Sequence, residues 1–263
     1  MPDLDDAYAN SAYIEGADAY LTRWSAAAAQ FRDSLGARAE LDLPYGPSDR
    51  MALDRFLPEG TAKGTLVFVH GGYWLKFDRS FWSHFAAGAL ARGWAVVMPS
   101  YDLCPTVRIA GITQQIAQAV MQVAEDSSGL ISLAGHSAGG HLVARMLAPG
   151  MLPDALRDRL SHVVPISPVS DLEPLLRTSM NANFGMDAAM ARAESPIHQP
   201  APEVPVTVWV GGAERPAFLE QARALAEALT CDHVVVPGEH HFNVIDALCD
   251  PGSDLIRRLT TPR

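Results

Sequence analysis

The chain has 263 residues, a formal net charge of −10 and 48% hydrophobic residues, which is typical of one globular domain. The negative net charge argues against nucleic-acid binding, because a surface that binds the phosphate backbone needs clustered Lys and Arg. No apolar stretch approaches the ~18 residues of a membrane span, and the N-terminus lacks the pattern of a secretory signal. The three cysteines include no C-x-x-C pair, so we expect reduced thiols and a cytoplasmic protein.

Predicted helices and strands alternate along most of the chain. An N-terminal segment, 1–40, is helical over 1–36, and 41–47 is a loop leading into a strand. Strands are predicted at 51–57, 65–69, 94–98, 130–134, 162–166, 207–210 and 232–236, and helices at 80–92, 112–124, 140–147, 215–229 and 243–249. Near-continuous apolar strands between helices predict an α/β fold, a doubly wound and mostly parallel sheet with helices on both faces.

We expect a single domain over 1–263 with one small insertion. The stretch 168–205 is the least regular part of the chain and is rich in Pro, Ser and Asn. It falls between two predicted strands and is long enough to form a cap. Ligands bind at the carboxyl ends of the strands in such sheets, so the cap is expected over that edge.

The G-x-S-x-G motif at 135–139 is the most informative feature of the sequence. An apolar strand precedes it and a helical pattern follows it. Ser137 is therefore predicted on a sharp strand-to-helix turn, which holds the hydroxyl above the sheet as a nucleophile. The plainer interpretation is a glycine-rich turn in which the serine caps a helix.

A serine nucleophile needs a histidine base and an acid that orients the histidine. In folds with this motif the chain order is serine, then acid, then histidine. His240 and His241 both follow the last predicted strand, and adjacent side chains do not point the same way. Glu214 follows the strand 207–210, although a carboxylate there also suits a helix N-terminus. Asp171, after the preceding strand, is the alternative acid.

Backbone N–H groups are expected to stabilise the oxyanion of such a reaction. One donor is Ala138, directly after the serine. The other is predicted in the loop after strand 65–69, at Gly72, with Gly71 or Tyr73 sharing the role. His70 opens this loop, and we expect it to be structural.

Neither a metal nor a cofactor is expected. His136 and His141 flank a tight turn, the H-E-x-x-H spacing is absent, and no phosphate loop or dinucleotide fingerprint occurs.

With these residues in hand, the chain resembles the kynurenine formamidase (arylformamidase) branch of the α/β-hydrolases. The resemblance runs from about residue 44 to the end. It is carried by H-G-G-Y-W at 70–74, G-H-S-A-G-G-H-L at 135–142, D-L-E-P-L at 171–175 with Thr178, Ser179 and Asn183 beyond it, and H-F at 241–242.

The resemblance implies roles for particular residues. Ser137 is the nucleophile, His241 before Phe242 is the base, and the acid stands at Glu214. That acid is commonly Asp in the family, so the Glu here keeps Asp171 open.

The implied reaction is hydrolysis of N-formyl-L-kynurenine through a formyl ester. Tyr73, Trp74 and Phe242 are candidates for an aromatic wall around the aryl group. The alternative is that Trp74 and Phe242 pack the core, and for Trp74 we favour the core. A short-chain carboxylesterase would use the same chemistry with a different pocket. A non-catalytic binding module is the third interpretation and would normally show a broken triad. The expected partner is a small-molecule substrate, and a homodimer is plausible on base rates alone.

Overall fold

The structure is a computed structural model that describes residues 3–261. The outermost residues of the predicted N-terminal segment and of the predicted domain, 1–2 and 262–263, lie outside the described residues. Eight strands form one sheet: β1 (Ala39–Pro44), β2 (Ala52–Phe56), β3 (Gly64–Val69), β4 (Ala95–Pro99), β5 (Leu130–His136), β6 (Leu160–Ile166), β7 (Thr207–Gly211) and β8 (Asp232–Val236). Their order is β1-β2-β4-β3-β5-β6-β7-β8. The pairs β1–β2 and β2–β4 are antiparallel and all others are parallel.

Helices cover both faces of this sheet. They are α1 (Leu4–Ala7), α2 (Ala17–Leu35), α3 (Ala87–Ala91), α4 (Ile109–Asp126), α5 (Ala138–Arg145), α6 (Asp154–Arg157), α7 (Asn181–Phe184), α8 (Ala188–Glu194), α9 (Pro216–Leu229) and α10 (Asp254–Thr260). Alternate side chains of a strand point to opposite faces, so Val67 and Val69 join one core cluster while Leu66 and Phe68 join the other. Every residue of β3 is buried, which explains its continuous apolar sequence.

Several predicted elements differ from the observed ones. The N-terminal helix breaks between α1 and α2, where Gly16 adopts a φ of 68°. Strand β1 occupies residues 39–44, where the end of the helical segment and the start of a loop were expected. Residues 79–86 form two 3₁₀ turns before α3, because Trp82 and Phe85 are buried at a three-residue spacing that suits three residues per turn. The closing helix is interrupted after a 3₁₀ turn at 246–249 and resumes as α10.

The stretch 168–205 holds α7 and α8 between β6 and β7. Its Glu194 accepts hydrogen bonds from Thr113 Oγ1 at 2.8 Å and Arg145 Nε at 3.3 Å. Ser179 donates through its backbone N–H to Asp5 Oδ1 at 2.7 Å, which ties the insertion to the N-terminal segment. Across residues 3–261, every helix is too short or too polar to cross a bilayer.

Candidate active site

The parallel strands end at one edge of the sheet, and Ser137 occupies the turn between β5 and α5. Its φ of 57° and ψ of −116° lie outside the regions that L-residues favour, and its backbone N–H donates to Ile166 O at 2.8 Å. The turn is possible only because the backbones pass closely, since a Cβ on Gly139 would lie 2.0 Å from Val69 O. The serine is thus held in a strained position at the sheet edge, as the motif predicts.

His241 and Glu214 meet in the loops after β8 and β7. His241 Nδ1 lies 2.6 Å from Glu214 Oε2, and the side chains are 5% and 0% exposed. The other carboxylate oxygen, Oε1, accepts a hydrogen bond from Gly211 N–H at 3.0 Å and one from Ser167 Oγ. These donors offset the cost of burying the carboxylate.

The His241 ring and backbone are held by two further side chains. His136 Nε2 donates to His241 O at 2.8 Å, and burial lowers the pKa of His136 well below its ordinary value, so this ring is neutral. Phe218 packs against the His241 ring with a centroid distance of 4.4 Å. The motif does not predict these roles of His136 and Ser167, because both act on residues far away in the sequence.

The adjacent His240 is turned toward α2. Its Nε2 lies 3.2 Å from Tyr20 Oη, and its Nδ1 accepts the backbone N–H groups of Phe242 at 3.1 Å and Asn243 at 3.2 Å. Both ring nitrogens are therefore engaged in holding the loop and the helix.

Asp171, the alternative acid, lies in the insertion and binds within it. Asp171 Oδ1 accepts a hydrogen bond from the backbone N–H of Glu173 at 3.0 Å. Its backbone N–H and carbonyl form hydrogen bonds with the side-chain amide of Gln221. Its carboxylate caps a turn of the insertion, and the hydrogen-bond partner of His241 Nδ1 is Glu214.

The loop after β3 carries the candidate oxyanion donors. Gly71 and Gly72 line the same cavity as Ser137, and Gly72 has a φ of 111°, which only glycine adopts readily. Ala138 is the first residue of α5, so its N–H has no intrahelical acceptor. His70 Nδ1 donates to Gly71 O at 2.8 Å. Burial lowers the pKa of His70 to about 4, so its ring is neutral and serves the loop.

A cavity of about 550 Å³ opens onto Ser137 and His241. Its aromatic lining comes from Tyr8, Trp24, Tyr73, Phe77, Trp82 and Phe242. Trp74 is the exception to the predicted wall, since it is 0% exposed and packs edge-on against His141 and Phe184 in the core. Tyr73 and Trp74 both have left-handed backbone conformations, with φ values of 53° and 57°.

The part of the chain between residues 3 and 261 contains no group of three His, Cys, Asp or Glu side chains that could hold a metal ion.

Comparison with known proteins identifies the fold family. A family model described as alpha/beta hydrolase fold matches residues 66–245. The chain belongs to the α/β-hydrolase family. The predicted fold class is confirmed, and this α/β-hydrolase is a serine hydrolase.

The individual proteins that resemble this α/β-hydrolase are described with different activities. Kynurenine formamidase of Salmo salar is 27% identical over 231 residues, which span 81% of this chain and 78% of the relative. A crystal structure from Silicibacter sp. TM1040, described as a candidate thioesterase, is 62% identical, with a TM-score of 0.97 and coverage of 99% and 100%. Esterase B of Lactobacillus rhamnosis HN001 is 20% identical, with a TM-score of 0.64 and coverage of 87% and 89%, and shares the fold.

Proposed function

We propose that this hydrolase removes the formyl group from an aryl formamide, and that N-formyl-L-kynurenine is its substrate. One observation carries the proposal: Ser137 and His241 line a single aromatic-walled cavity while Glu214 binds the far side of the His241 ring. The formamidase relative, similar over most of both chains, supports the choice of acyl group.

The first half of the reaction forms an acyl-enzyme. Glu214 accepts the Nδ1–H of His241, which leaves Nε2 free to accept the proton of the Ser137 hydroxyl. Ser137 Oγ then attacks the formyl carbon, and the carbonyl electron pair moves onto oxygen. The N–H groups of Gly72 and Ala138 stabilise that oxyanion, with Gly71 N–H as a further donor.

The second half releases both products. The tetrahedral intermediate collapses, the C–N bond breaks, and His241 protonates the departing arylamine nitrogen. The formyl group remains on Ser137 as an ester. Water, deprotonated by His241, attacks this ester and releases formate, which restores the serine hydroxyl.

The cavity suits a planar aryl ketone. Tyr73 and Phe242 both line it together with Ser137 and His241, and aromatic faces bind an aryl ring in stacked or edge-on arrangements. The Tyr73 hydroxyl donates to Tyr8 O at 2.7 Å, which fixes this wall in place.

A second candidate is hydrolysis of short-chain esters or thioesters, because the relative described as a candidate thioesterase is 62% identical to this chain. The acyl-enzyme chemistry is the same. The difference lies in the leaving group, since an amine must be protonated as it departs whereas a thiolate leaves without a proton.

The test is a comparison of kcat/KM for N-formyl-L-kynurenine, p-nitrophenyl acetate and acetyl-coenzyme A. A value for the formamide at or above ~10⁴ M⁻¹s⁻¹, lost in Ser137→Ala, supports the proposal. Ser34→Ala, an exposed serine of α2, is the matched control and should be fully active. Rapid cleavage of the ester or thioester with negligible formamide cleavage would overturn the formamidase assignment.

A further inference from the structure

The N-terminal residues form one wall of the cavity. We call residues 3–18 the arm. Tyr8 lies at its centre, where its carbonyl accepts from Tyr73 and its hydroxyl accepts from Gln221 Nε2 at 2.7 Å. Arg215 Nη2 donates to Asp6 Oδ2 at 2.8 Å. These bonds hold the arm against the loop after β3, against Arg215 beside Glu214, and against α9.

One arm side chain is buried without a hydrogen-bond partner. Asn10 lines the cavity and is only 8% exposed. Within residues 3–261, its Oδ1 atom is buried and accepts no hydrogen bond, and its side chain makes no capping bond to the short 3₁₀ turn that follows. Burying an amide oxygen without a donor costs free energy, so the atom is suited to a donor that a ligand brings.

Two side chains of opposite charge line the same cavity. Asp18, in the first turn of α2, and Lys76, in the loop after β3, both line the cavity and are exposed. Neither makes a side-chain hydrogen bond or ion pair with any residue of the described range 3–261. Among the described lining residues, Lys76 supplies the one lysine or arginine. Asp5, by contrast, is engaged with Ser179.

We propose that Asn10, Asp18 and Lys76 form a subsite for the zwitterionic α-amino-acid group of the substrate. The ammonium donates to Asn10 Oδ1 and the Asp18 carboxylate, and the substrate carboxylate accepts from Lys76. In a protein whose net charge is −10, a local cation is needed to offset the repulsion of an anionic group. The inference rests on the proposed function and assigns the residues that bind the amino-acid group of its substrate.

The subsite distinguishes the substrate classes. A simple ester or thioester with an apolar acyl group presents no ammonium, and leaves Asn10 Oδ1 without a donor. A substrate with the amino-acid group satisfies it. Selectivity against compounds that lack the group is strong where a buried polar atom is otherwise left unpaired.

The experiment compares two formamides. N-formyl-L-kynurenine carries the amino-acid group, and 2-formamidoacetophenone has the same aryl ketone and formamide without it. The ratio of their kcat/KM values is measured for wild type, Lys76→Met, Asp18→Asn and Asn10→Ala. Lys63→Met and Asp33→Asn, both exposed and outside the cavity lining, are the matched controls. Thermal melting of each variant checks folding.

We expect each subsite variant to lower the ratio of kcat/KM for N-formyl-L-kynurenine to that for 2-formamidoacetophenone about tenfold. This is the effect of losing one hydrogen bond to a charged group in a partly solvated site. The controls should keep the wild-type ratio. Lys76→Met and Asp18→Asn change exposed side chains, so they test the subsite even where Asn10→Ala fails to fold.

Failure of the subsite and failure of the proposed function give different results. Wild type that cleaves N-formyl-L-kynurenine, with variants that keep the wild-type ratio, would overturn the subsite alone. Wild type that cleaves neither formamide would overturn the proposed function and the subsite with it.

Discussion

His241 Nδ1 lies 2.6 Å from Glu214 Oε2, although the two residues come from loops 27 positions apart. The carboxylate accepts the proton on Nδ1 and so fixes the tautomer in which Nε2 is unprotonated. Because both side chains are buried, water does not compete for this bond. In the proposed mechanism, Nε2 is the atom that accepts the serine proton.

Glu214→Gln should lower kcat by about 10³–10⁴-fold, because the amide no longer selects the correct tautomer or stabilises the imidazolium. Steady-state kinetics on the best substrate measures this. Asp171→Asn should change kcat less than about threefold, since its carboxylate caps a turn that Asn also caps. A large loss in Asp171→Asn together with an active Glu214→Gln variant would contradict the assignment of the acid.

His241→Ala and His240→Asn should separate the two adjacent histidines. His241→Ala removes the base and should lower kcat by at least about 10³-fold. In His240→Asn, the side-chain oxygen can still accept the backbone N–H of Asn243, so kcat should stay within about threefold of wild type. Equal losses in both variants would show that the loop, and not the imidazole of His241, limits turnover.

The sequence predicted the sheet and the elbow because both are local signals. Strand β3 is recognisable from its apolar run, and Ser137 from flanking glycines whose role is a close backbone approach. The predicted helix boundaries were wrong where tertiary packing determines the type of helix, as at Trp82 and Phe85. Trp74 is buried in the core, the position that we favoured for it over an aromatic wall.

Long-range partners could not be predicted for a related reason. Ser167 follows β6 and reaches Glu214 across 47 positions, and His136 reaches the carbonyl of His241 across 105. Neither belongs to a spacing pattern that marks its partner. Only the sheet order, which places the ends of β5, β6, β7 and β8 side by side, brings these residues together.

Ser167→Ala should lower kcat about tenfold by removing the hydroxyl that donates to Glu214 Oε1, a hydrogen bond to a charged group worth about 1.5–3 kcal/mol. Ser167 is buried and has a φ of 47°. Ser167→Gly loses the same hydroxyl but relieves the backbone strain. The two variants should have similar kcat values, with Ser167→Gly more stable to urea. Full activity in either variant would show that Gly211 N–H alone positions the carboxylate.

Buried neutral histidines should make the protein less stable in mild acid. Burial lowers the pKa of His70 to about 4 and of His141 to about 3, whereas histidine in the unfolded chain titrates near 6.5. Below that pH the unfolded state binds more protons than the folded state, so the free energy of unfolding falls as pH falls. For His70 alone the full loss, reached below its folded pKa, is roughly 3 kcal/mol.

Urea unfolding at pH 7.5, 6.5, 5.5 and 5.0 measures this loss before most carboxylates titrate. His70→Asn keeps a side-chain donor for the Gly71 carbonyl but cannot be protonated, so its stability should decline less steeply with pH than wild type. His198→Asn, at an exposed position, should follow the wild-type slope. Identical slopes for wild type and His70→Asn would mean that His70 does not resist protonation in the folded protein, and that its burial contributes nothing to acid sensitivity.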